Sequence, residues 1–358
     1  MIYNEVRRKT RCVRVGGVQI GGTAPIAVQS MTNTDPHDFE ATHAQVKALA
    51  AAGCDIVRLT VPDMETAEVL ARLKNADAGV PLVADIHYDY RVAVRCAEVG
   101  VDKIRINPGN IGDETRVRAV VEACRLHRVP IRIGVNGGSL ERHILEKHGA
   151  PTPEALAESA FYHIGLLEKY GFYDTVVSIK ASDVATMIAA NRLVAAACDY
   201  PIHLGVTEAG DAKRGSIKSA IGVGALLADG IGDTVRVSLT ADPTEEVSAA
   251  REILSALQIA GQSGMNIVSC PTCGRTKIDL IELVARFEAA AREEGLLQKP
   301  LRVALMGCPV NGPGEAREAD VGICGGTHEA LLIKKGEIIE KIPENEVIAR
   351  LIAEIKQM

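Results

Sequence analysis

The chain has 358 residues, of which 47% are hydrophobic and 24% charged, and its net charge is −6. A chain of this length buries a large apolar core, either in two domains or in one large domain with an appendage. The negative charge argues against a general binder of nucleic acids or membrane surfaces, and no apolar run reaches the roughly 18 residues that a membrane-spanning helix needs.

A hairpin is the first predicted element. The sequence RCVRVGGVQIGG alternates apolar and polar residues around Gly16 and Gly17, which is typical of two short strands joined by a tight turn. We expect this hairpin to close the bottom of the domain that follows it.

Eight short β-branched runs come next, each followed by a segment with helical spacing, such as HAQVKALAAAG, that often ends in glycine. Strand alternating with helix eight times predicts a parallel (βα)8 barrel of the TIM type, with a doubly wound open sheet as the alternative. The runs are residues 25–32, 54–62, 81–87, 102–109, 130–136, 174–182, 201–210 and 233–240.

The fifth connection is the longest and predicts an extra turn before its helix, which begins at Thr152 as N-cap with Pro153 in the first turn. The last barrel helix is expected over residues 243–258, and a boundary follows in the glycine-rich AGQSGMN. We therefore predict a barrel domain of residues 1–260 and a small α/β domain of residues 261–358. The second domain is expected to contain a helix, two strands and a closing helix, at residues 279–295, 301–307, 320–326 and 346–358.

Polar side chains are expected to converge at the barrel mouth, because alternate residues of a strand share a face and the apolar set must face the helices. Five strands thereby direct a cation to one place: Arg58, Arg105, Arg132, Lys180 and Arg236. On the same faces or at the strand ends are Asp85, His87, Asn107, Asn136, Glu208 and Ser238.

This excess of cations predicts an anionic ligand. The two carboxylates, Asp85 and Glu208, cannot neutralise five cations, and an unpaired buried charge is costly. Arginine matches phosphate oxygens in a bidentate way, so we expect a multiply anionic small molecule, most simply a diphosphate, with Lys213 and Arg214 in a loop beside it. The alternative is a set of internal salt bridges, in which Glu208 anchors an arginine instead of acting as a general acid or base.

Cysteines with a distinct context follow the boundary. Cys270 and Cys273 have the spacing of a metal knuckle in CPTCGRT, Cys308 lies in MGCPVNGPGEA, and Cys324 follows. Four thiolates would suit zinc, whereas three thiolates with another ligand would suit an iron–sulfur cluster that has one labile iron. Free thiols are the third option, and spacing alone leaves the three open.

Motifs along nearly the whole chain resemble the 4-hydroxy-3-methylbut-2-enyl diphosphate synthases, iron–sulfur enzymes of the non-mevalonate isoprenoid pathway. The motifs are VQSMTNTDP, VADIHYDYRVA, RINPGNIG, IRIGVNGGSLE, SIKASD, GVTEAG, GIGDTVRVSL, CPTCGRT and GCPVNGPGEA. The resemblance implies a TIM-type barrel followed by a cluster domain. It also implies reductive ring opening and dehydroxylation of 2-C-methyl-D-erythritol 2,4-cyclodiphosphate, with two electrons delivered through a [4Fe-4S] cluster.

The resemblance also implies roles for individual residues. The cluster ligands would be Cys270, Cys273, Cys308 and Glu315. The glutamate would bind the labile iron, and Glu315 and Glu208 would be the catalytic residues. Glu208 would handle the proton at the leaving hydroxyl. Substrate contacts would come from Arg58, Asp85, His87, Arg105, Asn107, Arg132, Asn136, Lys180, Arg236, Ser238 and Asn311.

The implied partners are flavodoxin or ferredoxin as the electron donor, and a second copy of the chain. In a head-to-tail homodimer, the cluster of one chain would cap the barrel of the other. The charged start MIYNEVRRKTRCVRV contains no signal peptide, so we expect a cytoplasmic protein with reduced thiols.

Two other classes of protein are compatible with parts of the sequence. A phosphate-binding aldolase or isomerase with a structural zinc domain would use Lys180 to form a Schiff base. A cluster-bearing sensor or carrier would leave the cations of the barrel mouth without a role.

Overall fold

The computed structural model describes residues 6–259, 264–310 and 312–358. The chain divides into two compact units, Met1–Ile259 and Ala260–Met358. The first unit contains a closed barrel of eight parallel strands in chain order, so the (βα)8 prediction is confirmed and the open-sheet alternative is wrong. Its strands are β3 (Ala27–Met31), β4 (Ile56–Thr60), β5 (Leu82–Asp85), β6 (Lys103–Ile106), β7 (Ile131–Asn136), β8 (Thr175–Lys180), β9 (Ile202–Leu204) and β10 (Thr234–Val235).

Aspartate begins most of the barrel helices, because its carboxylate accepts a backbone N–H of the first turn that has no partner within the helix. Asp38, Asp63 and Asp183 are examples. The helices are α1 (Phe39–Ala51), α2 (Met64–Asn75), α3 (Tyr90–Glu98), α4 (Pro108–Ile111), α5 (Glu114–His127), α6 (Arg142–His148), α7 (Pro153–Lys169), α8 (Val184–Ala197), α9 (Ala212–Ala228) and α10 (Pro243–Ala256). None of the described helices is both long and apolar enough to cross a bilayer.

The predicted hairpin closes the bottom of the barrel. Strands β1 (Val13–Val15) and β2 (Val18–Ile20) pair antiparallel. Val13, Val15 and Ile20 are at most 1% exposed and pack against apolar side chains from the first residues of four barrel strands. Those side chains are Ala27, Ile56, Val83 and Val176. The apolar plug therefore leaves only the opposite end of the barrel open to a ligand.

The fifth connection has the predicted form, with α6 as the extra turn and Thr152 capping α7 with Pro153 at its start. Strand β10 is shorter than the predicted run, because only Thr234 and Val235 pair with their neighbours. Beyond them Leu239 donates its backbone N–H to the Glu246 carboxylate instead of to a strand.

The second unit is a five-stranded mixed sheet in the order β11-β12-β13-β14-β15. Helices α11 (Leu280–Glu293) and α13 (Val347–Lys356) pack on one face, where Leu283 and Leu351 join Val303 and Leu305 in the core. Alternate residues of the same strand, Ala304 and Met306, belong to a smaller apolar cluster, which therefore lies on the other face.

The sequence-based prediction missed three strands of this unit. The sheet consists of β11 (Asn266–Ser269), β12 (Arg302–Met306), β13 (Val321–Gly325), β14 (Glu329–Lys334) and β15 (Glu337–Pro343), and a short helix α12 (Gly312–Glu315) follows β12. Strands β14 and β15 form a hairpin whose turn residues, Lys335 and Gly336, both have positive φ. In the sequence, the Lys335-Gly336 pair between two apolar runs could have indicated this hairpin.

Candidate active site

A cavity of about 310 Å³ lies at the carboxyl ends of the barrel strands. Its volume is within the range of small-molecule sites. Nine of the predicted side chains line it: Arg58, Asp85, His87, Arg105, Arg132, Asn136, Lys180, Arg236 and Ser238. Met31, Thr60, Ser178 and Thr207 complete the lining. The five predicted cations therefore meet at one cavity.

Glycines make room for the longest of these side chains. A Cβ at Gly134 would lie 2.3 Å from Arg105 Nε, and a Cβ at Gly205 would lie 3.0 Å from Lys180 Nζ. Both glycines face the barrel interior, so the cations extend over positions where any other residue would collide with them. In the sequence, the only sign of this space was that Gly134 and Gly205 are small residues near polar ones.

Two carboxylates pair with part of the cation set. Asp85 lies 3.0 Å from Arg105 Nη1 and 3.6 Å from Arg58 Nε. Burial opposes ionisation of Asp85, but the charges of Arg58 and Arg105 outweigh it and lower the pKa of the carboxyl to about 2. Asp85 therefore remains an anion throughout the physiological pH range and fixes two arginines at the mouth.

The second carboxylate is Glu246, which sequence reasoning missed. It is 4% exposed and lies 3.0 Å from Arg236 Nη2, and Ser30 donates its hydroxyl to it at 2.8 Å. Its signal in the sequence was a glutamate on the apolar face of α10, in line with Ala250 and Ile253. A carboxylate on the buried face of a helix needs a partner, and the adjacent strand supplies it.

Two cations have no such partner. Arg132 is 1% exposed and Lys180 is 7% exposed, and neither forms an ion pair with any carboxylate in the described part of the chain. Burial, together with Arg58 and Arg105, lowers the pKa of Arg132, while burial together with Arg236 and Arg58 lowers the pKa of Lys180. The cavity thus gathers more buried cationic side chains than carboxylates, which favours an anionic ligand.

Other predicted residues lie at the edge of this site. His87 is at the cavity with Nε2 4.0 Å from Asp85. Asn107 is buried outside the lining, where it caps α4 and donates to Ser139 Oγ at 3.1 Å. Glu208 is exposed beside Thr207 and has a φ of +53°, a strained backbone that is common at functional sites. Lys213 and Arg214 are exposed in the first turn of α9.

The cysteines of the second unit lie where two adjacent parallel strands end. Cys270 follows β11 and Cys308 follows β12. Cys273 is exposed in the segment between β11 and α11. Gly307 donates its N–H to Cys270 Sγ at 3.2 Å. None of the nine cysteines forms a disulfide in the described structure. Asn311 lies outside the described residues.

Electrostatic contacts place Glu315 in the same group. The pKa of Arg275 is raised by a hydrogen bond to Cys273 and then by the charges of Cys273, Cys308 and Glu315. Two thiols and a carboxylate therefore lie within electrostatic reach of one arginine. Together with Cys270 they make the donor set that suits a cluster with one weaker ligand. Over residues 6–259, 264–310 and 312–358, no three His, Cys, Asp or Glu side chains stand close enough to share a single metal ion.

Cys324, the alternative fourth ligand, is 1% exposed in β13. A Cβ at Gly312 would lie 2.7 Å from its sulfur, so Cys324 packs beneath the loop that leads to Glu315. Burial, with smaller effects of Cys308 and Cys270, raises the pKa of Cys324 to about 12. Cys324 therefore contributes to the packing under this loop.

Comparison with known sequences covers both units. Residues 10–251 match the GcpE TIM-barrel domain, and residues 266–357 match the GcpE protein C-terminal domain. The chain is 54% identical to a protein of Ruminiclostridium cellulolyticum over 98% of both chains, and 54% identical to one of Geobacter sulfurreducens over 99% of both. Both relatives are named 4-hydroxy-3-methylbut-2-en-1-yl diphosphate synthase (flavodoxin).

Two solved structures share the fold over 70% of this chain. Dihydropteroate synthase from Stenotrophomonas maltophilia is 15% identical, with a TM-score of 0.51, and covers 70% of this chain and 100% of its own. Type I 3-dehydroquinate dehydratase from Clostridium difficile is 16% identical, with the same TM-score of 0.51, and covers 70% of this chain and 98% of its own. Both support the barrel fold, whereas the sequence matches span both units. The chain therefore belongs to the GcpE family of 4-hydroxy-3-methylbut-2-en-1-yl diphosphate synthases.

Proposed function

We propose that this protein converts 2-C-methyl-D-erythritol 2,4-cyclodiphosphate into 4-hydroxy-3-methylbut-2-enyl diphosphate in the non-mevalonate isoprenoid pathway. The reaction opens the cyclic diphosphate and removes one hydroxyl, which leaves as water after taking a proton, and it consumes two electrons. The single observation that carries the proposal is the cation-lined cavity of the barrel, whose positive charge exceeds that of the carboxylates around it.

The paired and unpaired cations have different tasks in this proposal. Arg58, Arg105 and Arg236 are oriented by Asp85 and Glu246, so their positions are set before the ligand arrives. Arg132 and Lys180 have no carboxylate and would gain their counter-charge from the diphosphate. Preorganised cations lose little freedom when they bind phosphate oxygens, which favours both affinity and orientation.

Proton handling is assigned to Glu208 at the edge of the mouth. Its neighbour Thr207 lines the cavity, and the positive φ of Glu208 means that the strand conformation does not continue through this residue. His87, Asn136 and Ser238 line the cavity, and in this proposal they would contact the ligand. Asn107 would act through the loop that it holds, and the role of Asn311 is adopted from the family motif alone.

The residues of the second unit fit an iron–sulfur cluster, and we propose the [4Fe-4S] type held by Cys270, Cys273, Cys308 and Glu315. When bound, such a cluster supplies electrons one at a time and a Lewis-acidic iron beside the weakest ligand. The chain's own contribution is the N–H of Gly307 at Cys270 and the cation of Arg275, which stabilise thiolate charge.

Flavodoxin is the proposed electron donor, because the relatives carry it in their names. We further propose a head-to-tail homodimer and a cytoplasmic location. Helix α10 runs antiparallel to the strands and ends at Ala256, on the plugged side of the barrel, so the chain leaves the barrel at the end opposite to the mouth. A cluster supplied by a second copy resolves this topology, and the nine thiols suit a reducing compartment.

The test is iron and acid-labile sulfide per chain in protein purified without oxygen, followed by turnover of the cyclic diphosphate with reduced flavodoxin. We expect about four of each with a broad brown absorption, and one 4-hydroxy-3-methylbut-2-enyl diphosphate per two electrons. A colourless zinc protein that lacks turnover would contradict the proposal. Borohydride trapping of Lys180 with a carbonyl substrate would instead support the aldolase alternative.

A further inference from the structure

A hydrogen-bonded carboxylate–histidine pair lies outside the cavity, at the outer edge of the barrel mouth. Glu141 Oε1 is 2.5 Å from His163 Nε2, and the side chains are 10% and 0% exposed. Glu141 ends the loop of residues 137–141 that follows β7, whereas His163 lies in the middle of α7. The pair therefore ties a mouth loop to a helix of the outer ring.

The loop reaches the cavity through a chain of hydrogen bonds. Ser139 donates its hydroxyl to the carbonyl of Asn136 at 3.4 Å and accepts from Asn107 Nδ2 at 3.1 Å. The side-chain amide of Asn136 is oriented so that its nitrogen donates to the carbonyl of Val135 and its oxygen accepts from Arg105 Nη2 at 3.1 Å. Displacing this loop would therefore disturb Asn136 and Arg105, two residues that line the cavity.

Backbone packing leaves the pair little freedom. A Cβ at Gly109 would lie 2.9 Å from Glu141 Oε1 and 3.4 Å from His163 Cε1. Gly109 also donates its N–H to Asn107 Oδ1 at 3.1 Å, so α4, the loop and α7 meet at one point. The glycine thus allows the carboxylate to lie against the backbone that begins α4.

The carboxylate is ionised in this setting. Partial burial raises the pKa of Glu141, but the hydrogen bond and charge of His163, with a smaller effect of Ser159, lower it below its ordinary value. Glu141 also caps α6 with its backbone, and its side chain makes no capping bond there. Its side chain is therefore committed to His163 rather than to the local helix.

We propose that Glu141 and His163 are positioning residues for the cyclic diphosphate, which hold the loop of residues 137–141 so that Asn136 and Arg105 face the substrate. The inference rests on the proposed substrate site at the barrel mouth. It gives a role to Ser139, Leu140 and Glu141, the last three residues of the IRIGVNGGSLE motif, which lie outside the cavity.

The chain offers a matched control for this pair. Glu158, also in α7, lies 2.7 Å from Lys147 and 2.8 Å from His148 of α6, and all of these contacts are at the surface. Both Glu141 and Glu158 thus tie α7 to the segment after β7, but only Glu141 connects to the mouth. Glu141→Ala and Glu158→Ala therefore separate positioning from the general packing of two helices.

The experiment measures kcat and KM of the holoenzyme with reduced flavodoxin, and the Kd for the cyclic diphosphate by calorimetry without oxygen. We expect Glu141→Ala to raise KM and Kd about tenfold, with kcat within about threefold of the wild type. Glu141→Gln keeps an acceptor for His163 and should recover most of the affinity. Glu158→Ala should leave KM and Kd unchanged.

Equal KM and Kd in Glu141→Ala and the wild type would overturn the inference, as would an equal loss in Glu158→Ala. If Glu141→Ala does not fold, Gly109→Ala is the second variant, because its methyl displaces the pair without removing either partner, and it should also raise Kd. A wild-type holoenzyme that neither binds nor converts the substrate would instead contradict the proposed function, so the two failures are distinguishable.

Discussion

The barrel mouth and the cysteine site solve opposite problems. At the mouth, β-strands hold five cations rigidly around a cavity, and the charge is in place before any ligand binds. At the cysteine site, the three candidate cysteine ligands lie in loops after β11 and β12, Cys273 is exposed, and Glu315 ends the short helix α12. The comparison teaches that a rigid scaffold can hold the charges for an anionic ligand in place before the ligand binds. A metal cluster, in contrast, orders the loops that carry its ligands when it binds.

Loss of a cluster ligand is expected to have the largest effect and to separate the two regions. Cys308→Ser should reduce iron from about four per chain to below one and abolish turnover, because electrons no longer reach the substrate. Affinity for the cyclic diphosphate should fall by no more than about tenfold, because the cations of the barrel mouth that would bind the phosphates are unchanged. The measurements are iron content, steady-state turnover and calorimetric binding.

Cys324→Ser is the control, because Cys324 packs beneath the loop and is not among the proposed ligands. It should retain the iron and the visible spectrum of the wild type. Loss of iron from this variant would show that the fourth ligand is a thiolate rather than Glu315.

Removal of an unpaired cation should affect affinity and stability in opposite directions. Arg132→Met deletes a charge that has no carboxylate partner, so kcat/KM should fall about 100-fold while the free energy of unfolding without ligand rises. Steady-state kinetics and urea unfolding test the two effects, with an unchanged cluster spectrum as the control. A simultaneous loss of stability would mean that Arg132 is paired in the free protein.

Binding of the substrate should be accompanied by proton uptake. Burial and the neighbouring Arg236 lower the pKa of Lys180 in the free protein, and a bound dianion would raise that pKa again. Because a raised pKa means that more protons are bound, calorimetry at several pH values below 10.5, in buffers of different ionisation enthalpy, should show net uptake. Lys180→Met should abolish most of it, and a pH-independent affinity in the wild type would contradict the prediction.

The smallest effect is expected below the mouth, where Lys103 is 0% exposed and its Nζ has no hydrogen-bond partner in the described structure. Burial, with the charge of Arg132, lowers the pKa of Lys103 well below 10.5. Lys103→Met should raise the free energy of unfolding by about 1–3 kcal/mol, and Lys47→Met, at an exposed position, should change it by less than about 0.5 kcal/mol.

The sign of the pH dependence follows from the direction of that shift. Between the lowered pKa of folded Lys103 and 10.5, the unfolded chain binds more protons than the folded one, so wild-type stability rises with pH. The advantage of Lys103→Met should therefore shrink as the pH approaches 10.5. A constant difference between the two proteins in urea unfolding at several pH values would show that Lys103 does not titrate in this window.

The regular parts of the fold and the cations were predictable because they follow from periodicity. Alternation along a strand puts Arg105 inside and Ile104 outside, and a barrel must collect the inward set of its strands. The buried Lys103 has the same parity as Arg105, so the same rule would have placed it inside. Strand β15 was missed although it has seven residues, because all but one of them are exposed and the alternation of apolar and polar residues is weak.

The sequence by itself determined the strand–helix order, the inward face of each strand and the presence of more cations than carboxylates, since these depend on local pattern and composition. Only the tertiary structure decided which cations are paired. Glu246 reaches Arg236 from a helix, and Glu141 reaches His163 across 22 positions, because packing brings together residues whose separation along the chain carries no signal. The difference between a paired and an unpaired cation, on which the proposed binding of the diphosphate depends, is a property of that packing.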